Sequence, residues 1–127
     1  MAATPGLTGR LTTTVTADDT AEAVGSGDVP VLATPRVVAL VEAASVAALD
    51  GTLGPGQTSV GTRIALSHDE AGVVGAELSV HAELVDVDGR RLTFYVAVYD
   101  GERIVASGEL TRVVVDRDRF VARASGR

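Results

Sequence analysis

The 127-residue chain contains no cysteine, no tryptophan and, among its eleven basic residues, no lysine. Without cysteine it forms no disulfide, offers no thiolate to a metal ion and has no cysteine nucleophile. Seventeen acidic residues outnumber the eleven arginines, so the net charge is −6 at pH 7. Because nucleic-acid binding depends on neutralising phosphates, this charge argues against a nucleic-acid partner.

Aromatic residues and long apolar runs are also scarce. The first aromatic is Phe94, and no apolar run reaches the roughly 20 residues of a transmembrane helix. The N-terminal residues 1–10 lack the basic start and apolar segment of a signal peptide, so we expect a cytoplasmic protein without membrane attachment. Two histidines and no cysteine make a metal site improbable. No phosphate-binding loop, dinucleotide fingerprint or G-x-S-x-G occurs, and we expect no cofactor.

The length predicts a single domain over residues 1–127, built around one long helix. The stretch "TPRVVALVEAASVAALDG", residues 34–51, is apolar on almost every side, with Thr34 as the expected N-cap and Gly51 as the stop signal. Before it, residues 17–33 mix acids, glycine and proline and predict a flap with little regular structure. After the last strand, residues 117–127 predict a solvated basic tail, with contact to an anionic ligand as the other interpretation.

Alternating apolar and polar residues predict strands on both sides of the helix. A Thr-rich stretch, "LTTTVTA", fits a first strand, and Asp-Gly turns separate the later ones. The four later strands are predicted at 58–68, 75–87, 91–100 and 103–116. One apolar helix and a long antiparallel meander predict an α+β hot-dog fold, with a curved sheet wrapped round the central helix. Open sheet edges would be covered by pairing two sheets in a homodimer.

Glu42 is the one acid near the middle of the apolar helix. Its helical neighbours three, four and seven residues away include no basic residue. Either the side chain lies on a strip open to solvent, or it faces a cleft as a carboxylate suited to base or nucleophile chemistry.

His68 and Thr34 each allow two interpretations. His68 prolongs an apolar face at the end of a strand, with Ile64 and Leu66, so it is either a core histidine or a functional one. His81 lies among Glu and Ser on its strand and is predicted to be exposed. Thr34 is ordinarily a cap, but a helix N-terminus can also hold an oxyanion, and Thr34 and Glu42 can edge the same groove.

The chain resembles the fluoroacetyl-CoA thioesterase-like group of hot-dog proteins from about Thr34 to Phe120. The resemblance is carried by "TPRVVALVEAAS", "GQTSVGTRIALSH", "VDGRRLTFYVAVYDG" and "GELTRVVVDRDRF". Thr34, Glu42 and His68 match the Thr–Glu–His set of that group in type and spacing. The resemblance implies hydrolysis of an acyl-CoA thioester, or of an acyl-carrier thioester.

The resemblance also implies roles for these residues. Glu42 would attack the thioester carbonyl or activate a water, His68 would act as general acid and base, and Thr34 would hydrogen-bond the carboxylate or the carbonyl. An N–H group near Gly61 or the helix start could stabilise the oxyanion. Arg112 matches a recurring arginine that could contact CoA or pair with an acid.

Two departures limit the resemblance. Relatives often carry His at the position of Leu110, and in the fluoroacetyl-selective member an aromatic lid covers the acyl pocket. The flap has no aromatic residue, so we expect a short or medium acyl-CoA substrate without strong selectivity for fluoroacetyl. A non-catalytic acyl-CoA binding or sensing module is the main alternative. Hydration of enoyl thioesters is disfavoured, because the Asp–His pair of that subfamily is absent.

Overall fold

The computed structural model describes residues 2–126, so Met1 and Arg127 of the predicted domain lie outside the described residues. The chain folds into five strands and one long helix, with shorter helices in the flap and at the C-terminus. In chain order the elements are β1 (Thr8–Thr14), a 3₁₀ turn (Ala17–Asp19), α1 (Ala21–Val24), α2 (Thr34–Ala48), β2 (Gln57–His68), β3 (Glu77–Asp88), β4 (Arg91–Asp100), β5 (Arg103–Asp116) and α3 (Arg117–Ser125).

The five strands form one antiparallel sheet in the order β1-β3-β4-β5-β2. The Asp-Gly turns that link β3 to β4 and β4 to β5 are confirmed, with Gly89 and Gly101 at φ 60° and 63°. These left-handed values suit glycine, which has no Cβ to clash. Strands β1 and β2 are therefore the two edges of the sheet. Within residues 2–126, no helix has the length and apolar character needed to cross a bilayer.

The core lies between α2 and one face of the sheet. The predicted alternation of β3 is confirmed, because its four apolar side chains are buried: Leu78, Val80, Ala82 and Leu84. The helix buries a single face, made of Val37, Leu40, Val41, Ala44, Ser45 and Ala48. Its opposite side stays open, with Val46 51% exposed. Within one chain the sheet therefore covers one side of this helix.

Helix α2 lies unusually close to the edge strand β1. A Cβ placed on Gly9 would overlap the carbonyl oxygen of Ala44 and the amide nitrogen of Ala48. Glycine at this position thus lets the backbones of helix and strand approach each other. The backbone of α2 at Ala44 and Ala48 therefore packs directly against β1.

Three local predictions need correction. The N-cap of α2 is Ala33 and not Thr34, because the Thr34 hydroxyl is bonded to His68 instead of to a helix amide. The flap contains the 3₁₀ turn and α1, since the side chain of Thr20 caps α1 by accepting from the amide of Ala23. The predicted tail forms the exposed helix α3, whose first turn is capped by Asp116 accepting from the amide of Arg119.

Strand β2 contains an irregularity that strict alternation does not predict. Gly61 pairs with Arg112 and Arg63 pairs with Thr111, so Thr62 has no partner in the register. A β-bulge of this kind shifts the faces of a strand by one residue. Consequently the odd-numbered residues before the bulge lie on the same inner face of the sheet as the even-numbered residues after it. The first group contains Ser59 and Gly61, and the second contains Ile64, Leu66 and His68.

Candidate active site

Thr34 and His68 come together at the mouth of the groove between α2 and β2. Thr34 is the first residue of α2 and His68 is the last residue of β2, and the Thr34 Oγ1 atom lies 2.8 Å from His68 Nδ1. The sequence interpretation gave Thr34 a different partner, the substrate carbonyl or a carboxylate. The hydrogen bond instead fixes the orientation of the imidazole ring.

The other ring nitrogen of His68 has no partner. Nε2 is buried and makes no hydrogen bond to any of the described residues. Burial lowers the pKa of His68 below its usual value, although the nearby backbone of Glu70 and the charge of Asp69 oppose this shift. The ring is therefore neutral at pH 7, with one nitrogen held by Thr34. A buried polar atom without a partner costs about 1–3 kcal/mol and needs an explanation.

A cleft of about 340 Å³ lies beside this pair, between the flap and the end of β2. Its flap side is lined by small, aliphatic and acidic residues: Ala21, Ser26, Gly27, Asp28, Val29, Val31 and Leu32. Thr34 and His68 complete the wall, together with residues 69–71. The cleft thus offers a compact and mostly non-aromatic space next to the histidine.

Glu42 lies two turns farther along α2 and has a basic partner from outside the helix. Its Oε2 atom accepts a hydrogen bond of 3.1 Å from Nη1 of Arg112 on β5. The Glu42 side chain remains 39% exposed, whereas that of Arg112 is 7% exposed. Glu42 is therefore not on a strip wholly open to solvent, and its carboxylate has a basic partner that its helical neighbours do not supply.

Two more hydrogen bonds hold Arg112 from β2. Its Nε donates to the hydroxyl of Ser59 at 2.8 Å, and its Nη2 donates to the carbonyl oxygen of Ser59 at 3.0 Å. Burial lowers the pKa of Arg112, and the neighbouring Glu42 carboxylate opposes that shift. The guanidinium keeps its charge, since the ordinary pKa of arginine lies far above 7. Of the two roles suggested for Arg112, pairing with an acid is the one present here.

Gly61 lies directly beneath the Glu42 carboxylate. A Cβ at this position would overlap Oε2 of Glu42 and lie 3.3 Å from its Cδ atom. Only a residue without a side chain leaves the carboxylate where it is. The recess around Glu42 has a volume of about 260 Å³ and is also lined by Ile64 and Leu110. Leu110 therefore forms an apolar wall beside the carboxylate.

The predicted residues thus form two groups. Thr34 and His68 line the flap cleft, while Glu42 and Gly61 line the separate recess. Throughout residues 2–126, no hydrogen bond joins Glu42 to Thr34 or His68. Both groups face the groove between α2 and β2, because the bulge places Gly61 and His68 on the same face of β2.

Two features of the site were missed or misplaced by sequence reasoning. Ser59 was not recognised, although an arginine in the alternating apolar face of β5 signals that a polar partner must lie nearby. His81 was predicted to be exposed but is half-buried. Its Nε2 lies 3.0 Å from the hydroxyl of Ser79, and its ring centroid lies 5.0 Å from that of Tyr99. His81 lies outside both openings just described.

Comparisons with known proteins match this chain to one family. The sequence model of the fluoroacetyl-CoA-specific thioesterase family matches residues 15–118. The chain is 40% identical over 93 residues to the fluoroacetyl-CoA thioesterase of Streptantibioticus cattleyicolor, a match that covers 73% of this chain and 67% of that protein.

Solved structures give the same result for the fold. A structure of the fluoroacetyl-CoA thioesterase superposes with a TM-score of 0.92 at 30% identity, covering 98% of this chain and 97% of the other. A thioesterase superfamily member from Thermus thermophilus has a TM-score of 0.88 at 22% identity, with 96% and 90% of the two chains covered. A hot-dog-like protein from Thermanaerovibrio acidaminovorans also has a TM-score of 0.88, at 25% identity, covering 97% and 91%. The predicted hot-dog fold is confirmed.

Proposed function

We propose that this chain, which belongs to the fluoroacetyl-CoA-specific thioesterase family, hydrolyses short or medium acyl-CoA thioesters with Thr34, Glu42 and His68. Membership of the family follows from the match over residues 15–118 and from the 40% identity to a member. The chain is accordingly a thioester hydrolase. The range of acyl groups and the role of each residue are our proposal.

The observation that carries the proposed chemistry is the hydrogen bond between Thr34 and His68. It occupies Nδ1 and leaves the buried Nε2 as the ring nitrogen without a partner among the described residues, whichever tautomer the ring adopts. A thioester sulfur or an attacking water would supply the partner that Nε2 lacks. Because burial lowers the pKa of His68, the ring is neutral at pH 7 and can accept and return a proton during one turnover.

Glu42 is the proposed reacting carboxylate, and two routes are open to it. It removes a proton from a water that attacks the thioester carbonyl, or its own oxygen attacks the carbonyl and forms a mixed anhydride that water then cleaves. In both routes the carbon–sulfur bond breaks and the sulfur leaves as a thiolate. The proton that the water loses, to Glu42 in the first route or to His68 when water cleaves the anhydride in the second, is passed through His68 to that thiolate. The products are a carboxylic acid and CoA.

Gly61 and Arg112 are proposed to act on the substrate side of this carboxylate. Gly61 leaves room for the carboxylate, and a backbone N–H near it would stabilise the oxyanion, an effect worth about 3–4 kcal/mol in other enzymes. The start of α2 is the weaker candidate for that role, because the amides of Arg36 and Val37 both donate to the carbonyl of Ala33. Arg112 contributes positive charge beside the reacting groups.

The flap cleft supports a broad substrate range. Its flap-side residues are small, aliphatic or acidic, with no aromatic among them. Fluorine is close to hydrogen in size, so discrimination between fluoroacetyl and acetyl needs a site tuned to polarity and closed to water. We propose a pocket that accepts several short or medium acyl groups.

We further propose that the functional unit is a homodimer of single-domain subunits in the cytoplasm, where acyl-CoA is available. Strand β2 is a sheet edge of twelve residues, and residues 61–63 on it are exposed. Pairing two such edges would cover unpaired backbone groups. It would also bring the recess of Glu42 against a second chain, since Gly61 lies on the same strand.

The test is thiol release from acetyl-CoA and a panel of longer acyl-CoAs, with Glu42→Gln as the comparison. We expect hydrolysis by the native chain and a kcat lower by about 10²–10⁴-fold in Glu42→Gln, because Gln keeps the shape but cannot act as base or nucleophile. Binding of acyl-CoA without thiol release would instead support the non-catalytic module. If only acyl-carrier thioesters were hydrolysed, the substrate would be an acyl-carrier thioester and not an acyl-CoA. A fully active Glu42→Gln variant would refute the assigned role of Glu42.

A further inference from the structure

Arg112 does not simply face its partner across the sheet. In the register it lies opposite Gly61, yet its guanidinium reaches back along β2 to Ser59. There Nε binds the Ser59 hydroxyl at 2.8 Å and Nη2 binds the Ser59 carbonyl at 3.0 Å. These two bonds come from two different nitrogens of a rigid planar group, so together they fix both its position and its rotation.

One edge of the guanidinium is left to face the helix. Nη1 donates to Oε2 of Glu42 at 3.1 Å, and this is the one side-chain hydrogen bond to the Glu42 carboxylate from residues 2–126. Gly61 beneath the carboxylate carries no side chain and offers it no further hydrogen bond from that side. The direction of the carboxylate is therefore set by Arg112, and that of Arg112 is set by Ser59.

We propose that Ser59 is a positioning residue: its hydroxyl orients Arg112 so that Nη1 holds the Glu42 carboxylate above Gly61 and toward the substrate. This inference rests on the proposed function, in which Glu42 is the reacting group. Ser59 itself touches neither the substrate nor the carboxylate. Its effect on the reaction passes through the guanidinium.

The hydroxyl matters because Arg112 is buried and Glu42 is not. Removing Ser59 Oγ leaves the Nε donor of Arg112 without a partner, at a position where the side chain is only 7% exposed. The remaining bond to the Ser59 carbonyl still tethers Nη2 but allows the plane to rotate. Glu42, with 39% of its side chain exposed, then turns toward water instead of staying above Gly61. Because hydrogen bonds to charged groups are stronger than those between neutral groups, losing the bond to the Ser59 hydroxyl loosens the orientation of the Arg112 guanidinium.

A purely structural strap between β2 and β5 is the competing explanation. Such a strap would change the melting temperature but would leave the turnover of the folded enzyme unchanged. A role through Arg112 and Glu42 predicts the opposite pattern, in which kcat falls while KM for acyl-CoA stays near its native value. Direct substrate binding by Ser59 would instead raise KM.

The experiment compares Ser59→Ala, Ser59→Thr and the control Ser79→Ala, with acetyl-CoA or the best substrate of the panel. Ser79 also lies in a strand and its hydroxyl also bonds one side chain, His81, but it lies outside both openings of the site. We expect kcat of Ser59→Ala to fall about tenfold with KM within about threefold, as for the loss of one hydrogen bond to a charged group. Ser59→Thr keeps the hydroxyl and restores kcat, and Ser79→Ala behaves as the native enzyme does.

A double-mutant cycle with Arg112→Met tests the route of the effect. If Ser59 acts only through Arg112, adding Ser59→Ala to Arg112→Met lowers kcat by less than about twofold, because the two changes are not additive. Independent, multiplying effects would overturn the inference, and so would an unchanged kcat or a raised KM in Ser59→Ala. Should Ser59→Ala fail to fold, Ser59→Cys carries the same comparison, since its thiol is a weak acceptor of similar shape.

Failure of the inference and failure of the proposed function give different results. An active native enzyme whose kcat is the same in Ser59→Ala overturns the inference alone. A native chain that hydrolyses none of the acyl-CoAs overturns the proposed function, and with it the inference that depends on Glu42 reacting.

Discussion

Gly61→Ala is the sharpest test of where the Glu42 carboxylate must lie. The added methyl group would overlap Oε2 of Glu42 and lie 3.5 Å from Nη1 of Arg112. Because the Glu42 side chain is 39% exposed, the carboxylate can swing toward water and let the methyl group in. The substitution therefore displaces one functional group and leaves the backbone in place.

The expected loss follows from the shift of the carboxylate and from the bond to Arg112 that this shift breaks. A shift of about 1 Å in a reacting group costs on the order of 10²-fold in rate. The bond to Arg112, which joins two charged groups, is worth about 1.5–3 kcal/mol, or one to two further powers of ten at most. We expect kcat to fall by about 10²–10⁴-fold. Stability should hold, because Ala reduces the freedom of the unfolded chain relative to Gly and contributes about 0.4–1 kcal/mol.

The assay is thiol release together with the melting temperature, and Gly54→Ala is the matched control. A Cβ at Gly54 also meets the end of a flexible side chain, Oε1 of Gln57 at 3.1 Å, but away from the recess. Native-like activity in a folded Gly61→Ala variant would show that the carboxylate is not needed where the structure places it. If the melting temperature collapses, adding Glu42→Ala makes room for the methyl group. That double variant should regain stability and stay inactive, and a failure to regain stability would refute the steric argument.

Three further predictions concern pH, assembly and substrate choice. Burial lowers the pKa of His68 below 6.5, so the acid limb of kcat/KM should be centred below pH 6.5. As the pH falls, His68 is protonated in the unfolded chain before it is protonated in the folded chain. The His68 contribution to the free energy of unfolding is therefore complete above pH 6.5 and is lost as the pH falls through the lowered pKa of the folded state. Sedimentation should give about 26 kDa, twice the 13.0 kDa of one chain, and an active monomer would refute the dimer. The ratio of kcat/KM for fluoroacetyl-CoA and acetyl-CoA should stay below about 10², and a ratio of 10⁴ or more would contradict the argument from the flap.

The parts of the fold that depend on local pattern could be predicted from the sequence. The limits of β4 and β5 agree with the predicted 91–100 and 103–116, because Asp-Gly turns mark both ends of β4 and the start of β5. The inner face of β3 was also predicted, since a strand with one buried face must alternate. The partners of Thr34 and Glu42 could not be predicted in this way. They come from β2 and β5, which lie 34 and 70 residues away along the chain.

The bulge in β2 explains why the site was only partly predicted. Strict alternation places Gly61 on the face opposite to His68, which would separate the glycine from the groove. The unpaired Thr62 reverses this, and its hydroxyl lies 3.4 Å from the carbonyl of Thr111 on β5. A single inserted residue is hard to detect in the alternation of apolar and polar residues along β2, because polar and small residues are common on exposed edge strands. A bulge also re-aims side chains near functional sites.

Placing an acid on an apolar helix next to a buried arginine carries a desolvation cost. Removing two charges from water costs several kcal/mol per ion, and replacing a buried pair by apolar residues is often neutral or stabilising. Arg112 meets this cost with three hydrogen bonds, two to Ser59 and one to Glu42. Glu42 remains partly exposed, so the pair is incompletely desolvated. In an ion pair that served only stability, we would expect both side chains to be buried. Here the arginine is enclosed and the carboxylate remains partly exposed beside a glycine, as expected if Glu42 is the reacting group.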